Sequence, residues 1–325
     1  MTAFSLAAGA TGTRIMGLGS YQPDTVVSND DLAQRMDTND EWIRDRVGIV
    51  NRRFAAKDEL LVDMAAEAGS KAVADSGLSP ADIDAVIVAT CTMPSPIPNA
   101  AAQVAHRIGV QNAPAFDVNA ACAGFCYALA TASDMVRSGS ATHVLVIGAE
   151  KLTDWVDPTD RSTAIIFADA AGAVVVGRSD EAGIGPVAWG SAGDLAETIT
   201  IADRDSFIHQ EGQSVFRWAT TKIAPIALRA VELAGIELSD VDVFVPHQAN
   251  LRIVESIAKR LRSKGAREDL VIARDIVESG NTSSASIPMA LDHMRAAGEI
   301  SSGQVALLVG FGAGLSYAGQ VVRCP

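Results

Sequence analysis

Short apolar runs bounded by turn residues alternate with longer stretches at helical spacing along the whole chain. Ala85 to Ala89, Val144 to Gly148, Ala173 to Gly177, Val243 to Val245 and Val305 to Val309 read as buried strands, and residues 115–119 as a further short one. Helices are predicted over 62–76, 99–108, 123–138, 215–234, 251–264 and 286–297. Such alternation defines an α/β fold. No low-complexity linker divides it. Near the end, VGFGAGLSYAG (309–319) joins two strands through three glycines in five residues. This predicts a tight hairpin able to bring backbone N–H groups close to a substrate oxygen. Lacking a following lysine and helix, it is not a phosphate loop.

The pattern repeats. KAVADSGLSPADIDAVIV (71–88) matches RAVELAGIELSDVDVFVP (229–246) at five of 18 positions, with the same order of helix, turn and strand at a shift of 158 residues. A helix ending DMVRSG (134–139) matches one ending HMRAAG (293–298) at a shift of 159. Two segments agreeing on nearly one shift predict two copies of one unit. By that shift Asn281 takes the place of Cys122, and His247 that of Ala89 at the end of its strand.

Composition narrows the class. Hydrophobic residues make up 48% of the 325 and aromatics only 5%, so the core is built from Ala, Val, Ile and Leu. The four cysteines form no CxxC pair, so neither disulfides nor a metal site is expected. MTAFSLAAGATGTR at the N-terminus lacks the basic start and apolar run of a signal peptide, and no apolar stretch reaches membrane-spanning length. A cytoplasmic protein is expected. A net charge of −13 argues against broad nucleic-acid binding.

Cys122 stands where strand 115–119 turns into the helix that begins at Ala123. Unpaired N–H groups and the positive end of a helix favour the thiolate there. Cys126, one turn later, reads as packing. A cysteine accepts an acyl group from a thioester with little change in bond energy. A neutral histidine and an asparagine amide can both donate to one oxyanion, as the enolate of a decarboxylating malonyl thioester requires. A proteolytic set would instead use the asparagine to orient the histidine, and residue types alone leave both open.

The segments DEWIRDRVGI (40–49), FDVNAACAGF (116–125), DPTDRSTAIIFADAAGA (157–173), GQSVFRWA (212–219), VPHQANLRI (245–253), SGNTSSASIP (279–288) and GFGAGLSYAG (310–319) occur in the order found in one family. From about Arg14 to Pro325 the chain resembles the β-ketoacyl-acyl carrier protein synthases of type III. The resemblance implies a thiolase-like fold of two pseudo-symmetric halves in a five-layered αβαβα arrangement. Residues 1–178 would carry the nucleophile, and 179–325 the His and Asn. It further implies that Cys122 is acylated, that His247 and Asn281 promote malonyl decarboxylation, and that the N–H groups of Cys122 and Ala313 bind the thioester oxyanion. Trp42 and Arg161 would sandwich the adenine of coenzyme A, Arg46 and Asn250 would line its channel, and Phe167, Phe216 and Phe311 would wall the acyl site. Ile97, supplied from a partner subunit of a homodimer, would limit that pocket. Acyl-coenzyme A and malonyl-acyl carrier protein are the implied substrates, with no resident cofactor. The same residues suit a starter-unit synthase or acyltransferase of a polyketide pathway, and a noncatalytic acyl-binding protein is a remoter alternative. A degradative thiolase would want a second cysteine in Gly310 to Gly314, where there is none.

The chain departs from the family's pattern in two places. ADAAGA (168–173) replaces GDGAGA, reducing backbone freedom, and the segment Gly193 to Gly212 is shortened. The acidic carrier protein needs a positive surface on this acidic chain. LRIVESIAKRLRSK (251–264) supplies one: Val254, Ile257 and Leu261 share a face, leaving Arg252, Lys259 and Arg260 outside for docking.

Overall fold

Two five-stranded sheets with the same strand order and the same directions form the frame. The computed structural model describes residues 7–325. One sheet runs Gly12–Tyr21, Asp169–Ser179, His143–Lys151, Ala85–Ala89, Ala115–Val118, and the other Ala188–Ser191, Ser316–Arg323, Val305–Gly312, Val243–Pro246, Val271–Ile272. In each, the first two pairings are antiparallel and the last two parallel. The repeat read in the sequence is thus a repeat of topology.

Each sheet is covered on both faces. In the strand Ala85–Ala89 every residue is buried; Ala85, Ile87 and Ala89 join the core between the sheets, while Val86 and Val88 face the outer helices. Two-sided burial explains why these strands read as continuous apolar runs. Helices Gly124–Ser138 and Ser286–Ala296 fill the space between the sheets through Phe125, Leu129, Ile287 and Leu291. Leu61–Asp75 and Ala100–Ile108 cover one outer face, and Gly212–Ala234 and Leu251–Arg262 the other. The layers are αβαβα, the thiolase arrangement. Among the described residues no helix is long and apolar enough to cross a membrane.

The pattern passed over Gly12–Tyr21, whose glycines at 12, 17 and 19 interrupt the apolar alternation. The ADAAGA departure costs nothing in conformation. Ala168 and Ala170, which stand where the family has glycine, are fully buried, one just before and one within the strand Asp169–Ser179, and neither has a positive φ.

One expectation is corrected. Ala121 (φ 46°) and Ser283 (φ 50°) occupy left-handed conformations at equivalent points, an offset of 162 residues rather than 159. Cys122 therefore corresponds to Ser284, and Asn281 to Asn119. The side chains of both asparagines accept from the backbone N–H two residues on, Asn119 from Ala121 at 3.3 Å and Asn281 from Ser283 at 2.9 Å. The second central helix has 11 residues against 15 in the first, so matching the helix ends misplaces their starts by nearly one turn. His247 does match Ala89, each one residue past or at the end of the equivalent strand and beside the equivalent neighbour.

The two halves meet backbone to backbone at their centre. A Cβ on Gly148 would land on the Ser284 carbonyl. Replacing Gly148 by Ala is expected to destabilise the protein by about 1–3 kcal/mol through overpacking against rigid main chain, read as a lowered urea midpoint. An unchanged midpoint would mean that the turn at Ser283–Ala285 yields freely.

Candidate active site

A cavity of about 990 Å³ opens between the halves, and Cys122, His247 and Asn281 all line it. Cys122 sits in the 3-10 turn Ala121–Ala123 that leads into the central helix. The Gly312 backbone lies against it, where a Cβ would stand 2.7 Å from the Cys122 Cβ and 3.0 Å from its Sγ. That glycine needs the space rather than the flexibility, since its φ of −179° is ordinary extended backbone. Ala313, next along the hairpin, also lines the cavity.

The thiol is not the thiolate that its helix position led us to expect. Burial pushes the Cys122 pKa up to about 12, helped by the nearby Glu150 carboxyl and opposed by the Ser283 hydroxyl. Cys122 is half-buried and what it exposes lines the cavity, where desolvation outweighs the helix terminus. His247 is likewise driven to its neutral form, its pKa lowered to about 3 by burial. Nucleophile and imidazole are therefore both uncharged in the resting site.

One nitrogen of the His247 ring is held by a hydroxyl. Its Nδ1 lies 2.8 Å from the Ser286 hydroxyl, and that oxygen accepts from the Gln248 N–H at 3.3 Å. The hydroxyl keeps its own hydrogen to give, and when it donates to Nδ1 the imidazole proton lies on Nε2. The Phe311 ring packs against the imidazole edge to face at 5.3 Å. Asn281 is fixed through both ends of its amide, with Oδ1 on the Ser283 N–H and Nδ2 3.4 Å from the Ala249 carbonyl. Ser286 was not singled out in the sequence; its spacing of five from Asn281 in SGNTSSAS was the available signal.

Glu150 was also missed, although a lone carboxylate ending the apolar run VLVIGAE is visible in the sequence. It is wholly buried and accepts from Thr92 Oγ1 at 2.6 Å, the Cys91 N–H at 3.1 Å, Ser283 Oγ at 3.1 Å and Ser284 Oγ at 2.9 Å. Its ligands come from both halves, so one carboxylate ties the Asn281 turn to the sheet that carries Cys122. Cys126, fully buried in the central core, is a packing residue.

The lining also holds five exposed arginines, Arg46, Arg161, Arg204, Arg217 and Arg252, together with half-buried Trp42 and Asn250. Asn250 caps the helix Leu251–Arg262 by accepting from the Arg252 N–H, and its Nδ2 holds the Arg46 carbonyl at 3.2 Å. Arg161 lies over the Trp42 indole at 4.6 Å, with Arg46 at 5.6 Å. The expected sandwich is thus closed on itself, because a ring between two stacked partners needs about twice that separation. Phe167, Phe216 and Phe311 line the cavity, Phe216 beneath the Arg252 guanidinium at 5.5 Å. Ile97 does not reach the cavity of its own chain and is 82% exposed. On the helix Leu251–Arg262, Lys259 and Arg260 are exposed opposite buried Val254, Ile257 and Leu261. Residues of the shortened segment form a two-stranded ribbon, Ile199–Thr200 with His209–Gln210, along the cavity wall.

A thiolase fold with a cysteine, a neutral histidine and an asparagine facing one cavity at the junction of its repeats defines an acyl-transferring condensing enzyme. The sequence model described as 3-oxoacyl-[acyl-carrier-protein (ACP)] synthase III matches residues 116–193, and that of its C-terminal part matches 231–324. The chain is 51% identical over 317 residues to β-ketoacyl-[acyl-carrier-protein] synthase III 4 of Streptomyces coelicolor, covering 97% of this chain and 99% of that one. It is 48% identical to the mycobacterial β-ketoacyl-[acyl-carrier-protein] synthase III of Mycobacterium avium, over 100% and 99% of the two chains. The priming β-ketosynthase of the R1128 polyketide pathway superposes with a TM-score of 0.95 at 42% identity, over 100% of this chain and 99% of that one. The chain belongs to the 3-oxoacyl-[acyl-carrier-protein] synthase III family.

The thiol of the free protein should alkylate ever faster with pH. With the Cys122 pKa near 12, the thiolate fraction grows about tenfold per pH unit through neutrality. Iodoacetamide labelling of Cys122, followed by intact mass from pH 6 to 9.5, is expected to rise without levelling off; a plateau near neutral pH would show that the helix terminus prevails.

Proposed function

We propose that the chain condenses a short acyl-coenzyme A with malonyl-acyl carrier protein to give a 3-oxoacyl-acyl carrier protein, the opening step of fatty acid synthesis. The observation that carries this reading is the convergence of Cys122, His247 and Asn281 on one cavity whose lining includes five exposed arginines. Those arginines suit a polyanion such as coenzyme A, despite the chain's net charge of −13.

Cys122 Sγ attacks the thioester carbonyl, and the N–H groups of Cys122 and Ala313 face the resulting oxyanion. The carbon–sulfur bond to coenzyme A then breaks, the departing sulfur takes the cysteine proton, and an acyl-Cys122 remains. In the second stage the malonyl carbon–carbon bond breaks. Carbon dioxide leaves, and its bonding electrons pass into a thioester enolate. His247 Nε2–H and Asn281 Nδ2–H donate to the enolate oxygen. A neutral imidazole suits this role, because its proton stays in place while the charge develops. The enolate carbon attacks the acyl-cysteine, expelling Cys122 as a thiolate that regains a proton. Exchange between thioesters and loss of carbon dioxide need no resident cofactor or metal, and acyl-coenzyme A is consumed as a substrate.

Arg252, Lys259 and Arg260 offer the acidic carrier protein a positive helix face leading to the cavity. Exposed Ile97 would close the acyl pocket of the other subunit in a homodimer, beside Phe167, Phe216 and Phe311. A reducing cytoplasm suits a reaction that depends on a free thiol. Likeness to a priming ketosynthase supports a second reading, in which the same chemistry loads a polyketide starter.

Intact-mass measurement with acyl-coenzyme A donors should show an adduct that Cys122→Ser abolishes; no adduct with any short acyl donor would overturn the reading. Asn281→Ala and Ser286→Ala are each expected to keep self-acylation while slowing malonyl decarboxylation by about 10²-fold, the scale of one lost oxyanion donor. Equal loss of both half-reactions would reduce either residue to a structural one. Since Ile is smaller than an aromatic residue, isobutyryl-coenzyme A should turn over at least as well as acetyl-coenzyme A, and strict acetyl preference would remove Ile97 from the pocket.

A further inference from the structure

Arg52 is the largest fully buried side chain, with no exposed surface, and among the described residues no carboxylate pairs with it. Its guanidinium instead donates to Asn29 Oδ1 at 2.8 Å, the Ile165 carbonyl at 3.0 Å and the Val27 carbonyl at 3.3 Å, leaving Nε without an acceptor among the described residues. A buried cation held only by neutral oxygens is costly, and replacing it by an apolar side chain is often neutral for stability. Fold stability is therefore a poor reason for its presence.

Its acceptors lead to the two walls of the nucleotide end. Asn29, through Nδ2, holds Asp40 Oδ1 and the Ile49 carbonyl, both at 2.8 Å. Asp40 and Ile49 bracket the helix Asp40–Val47, which carries Trp42 and Arg46. Ile165 lies four residues after Arg161 in the segment that brings Arg161 over the Trp42 ring. Just beyond it, the segment is fastened independently: Asn281 N–H donates to the Ile166 carbonyl and Ala168 N–H to the Asn281 carbonyl, each at 2.9 Å. The Arg52 bonds thus control the side of the segment facing Arg161, while the side facing Phe167 and the catalytic centre has its own anchor.

We propose that Arg52 is a positioning residue for the nucleotide portion of the donor, setting the spacing between Trp42 and Arg161 by clamping the segments that carry them. This rests on acyl-coenzyme A being the donor. Donors that end at the pantetheine or N-acetylcysteamine thioester lack the purine and phosphates, so they bypass the clamp while still acylating Cys122.

The experiment compares the rate of Cys122 self-acylation, as a function of donor concentration, with acetyl-coenzyme A and with acetyl-N-acetylcysteamine, for the unaltered chain and Arg52→Met. The half-saturating concentration of acetyl-coenzyme A should rise by about tenfold, as for misplacement of a distant binding group, with the limiting rate and the response to the truncated donor unchanged. Loss on both donors alike, or on neither, overturns the proposal. Asn29→Ala, which removes one acceptor and leaves the cation, should give the same split in smaller measure, and it replaces Arg52→Met if that variant does not fold. Failure of the unaltered chain to use acetyl-coenzyme A would instead refute the donor assignment itself.

Discussion

Main chain meets main chain where the two repeats join, and the rest of the molecule is arranged to permit it. Gly148 lies on the Ser284 carbonyl from one side, and Gly312 lies over Cys122 from the other. Backbone contact at both points leaves no room for side-chain adjustment, so the relative position of the halves is fixed by hard repulsion. An Ala- and Val-rich core follows from this closeness. The central helices pack between the sheets through Ala128, Ala132 and Ala290 as well as through larger residues. The cavity, by contrast, is where the halves diverge, and it collects most of the polar groups that act.

The electrostatics of that junction run against a simple reading of a reactive cysteine. Burial makes the thiol and the imidazole neutral together. The one formal carboxylate close by, Glu150, is itself pushed toward its neutral form by burial and held by hydroxyl and amide donors from both halves. A neutral thiol and a neutral imidazole suit a reaction in which negative charge appears first on a thioester oxygen and later on an enolate, because fixed dipoles can then face each in turn. Ser286 contributes by holding Nδ1 of the imidazole at 2.8 Å and so fixing the orientation of the ring.

Much of the fold was legible because two-sided burial writes strands as apolar runs and the duplication writes them twice. The hairpin at 309–319, the central helix after Cys122 and the strand leading to His247 all lie where the pattern placed them. The register of Asn281 was not legible. Matching sequence reads helix ends, and the second helix is about one turn shorter, whereas the left-handed residues that fix the starts leave no mark in composition. The charge state of Cys122 was hidden for a related reason: a helix terminus is local, but desolvation depends on what folds over it. Arg161 resting on Trp42 and the surface position of Ile97 likewise depend on tertiary structure.

The matched asparagines have a consequence for the molecule's history and for its division of labour. One turn, with the same left-handed residue and the same side-chain bond, exists in duplicate, yet only one copy is followed by a thiol and only the other keeps its amide buried near the histidine. In the proposed reaction, a chemistry in two stages is distributed between two twins, one receiving the acyl group and the other generating the carbanion. Neither twin is a smaller version of the whole: the duplicated turn serves a single asymmetric centre rather than two equal ones.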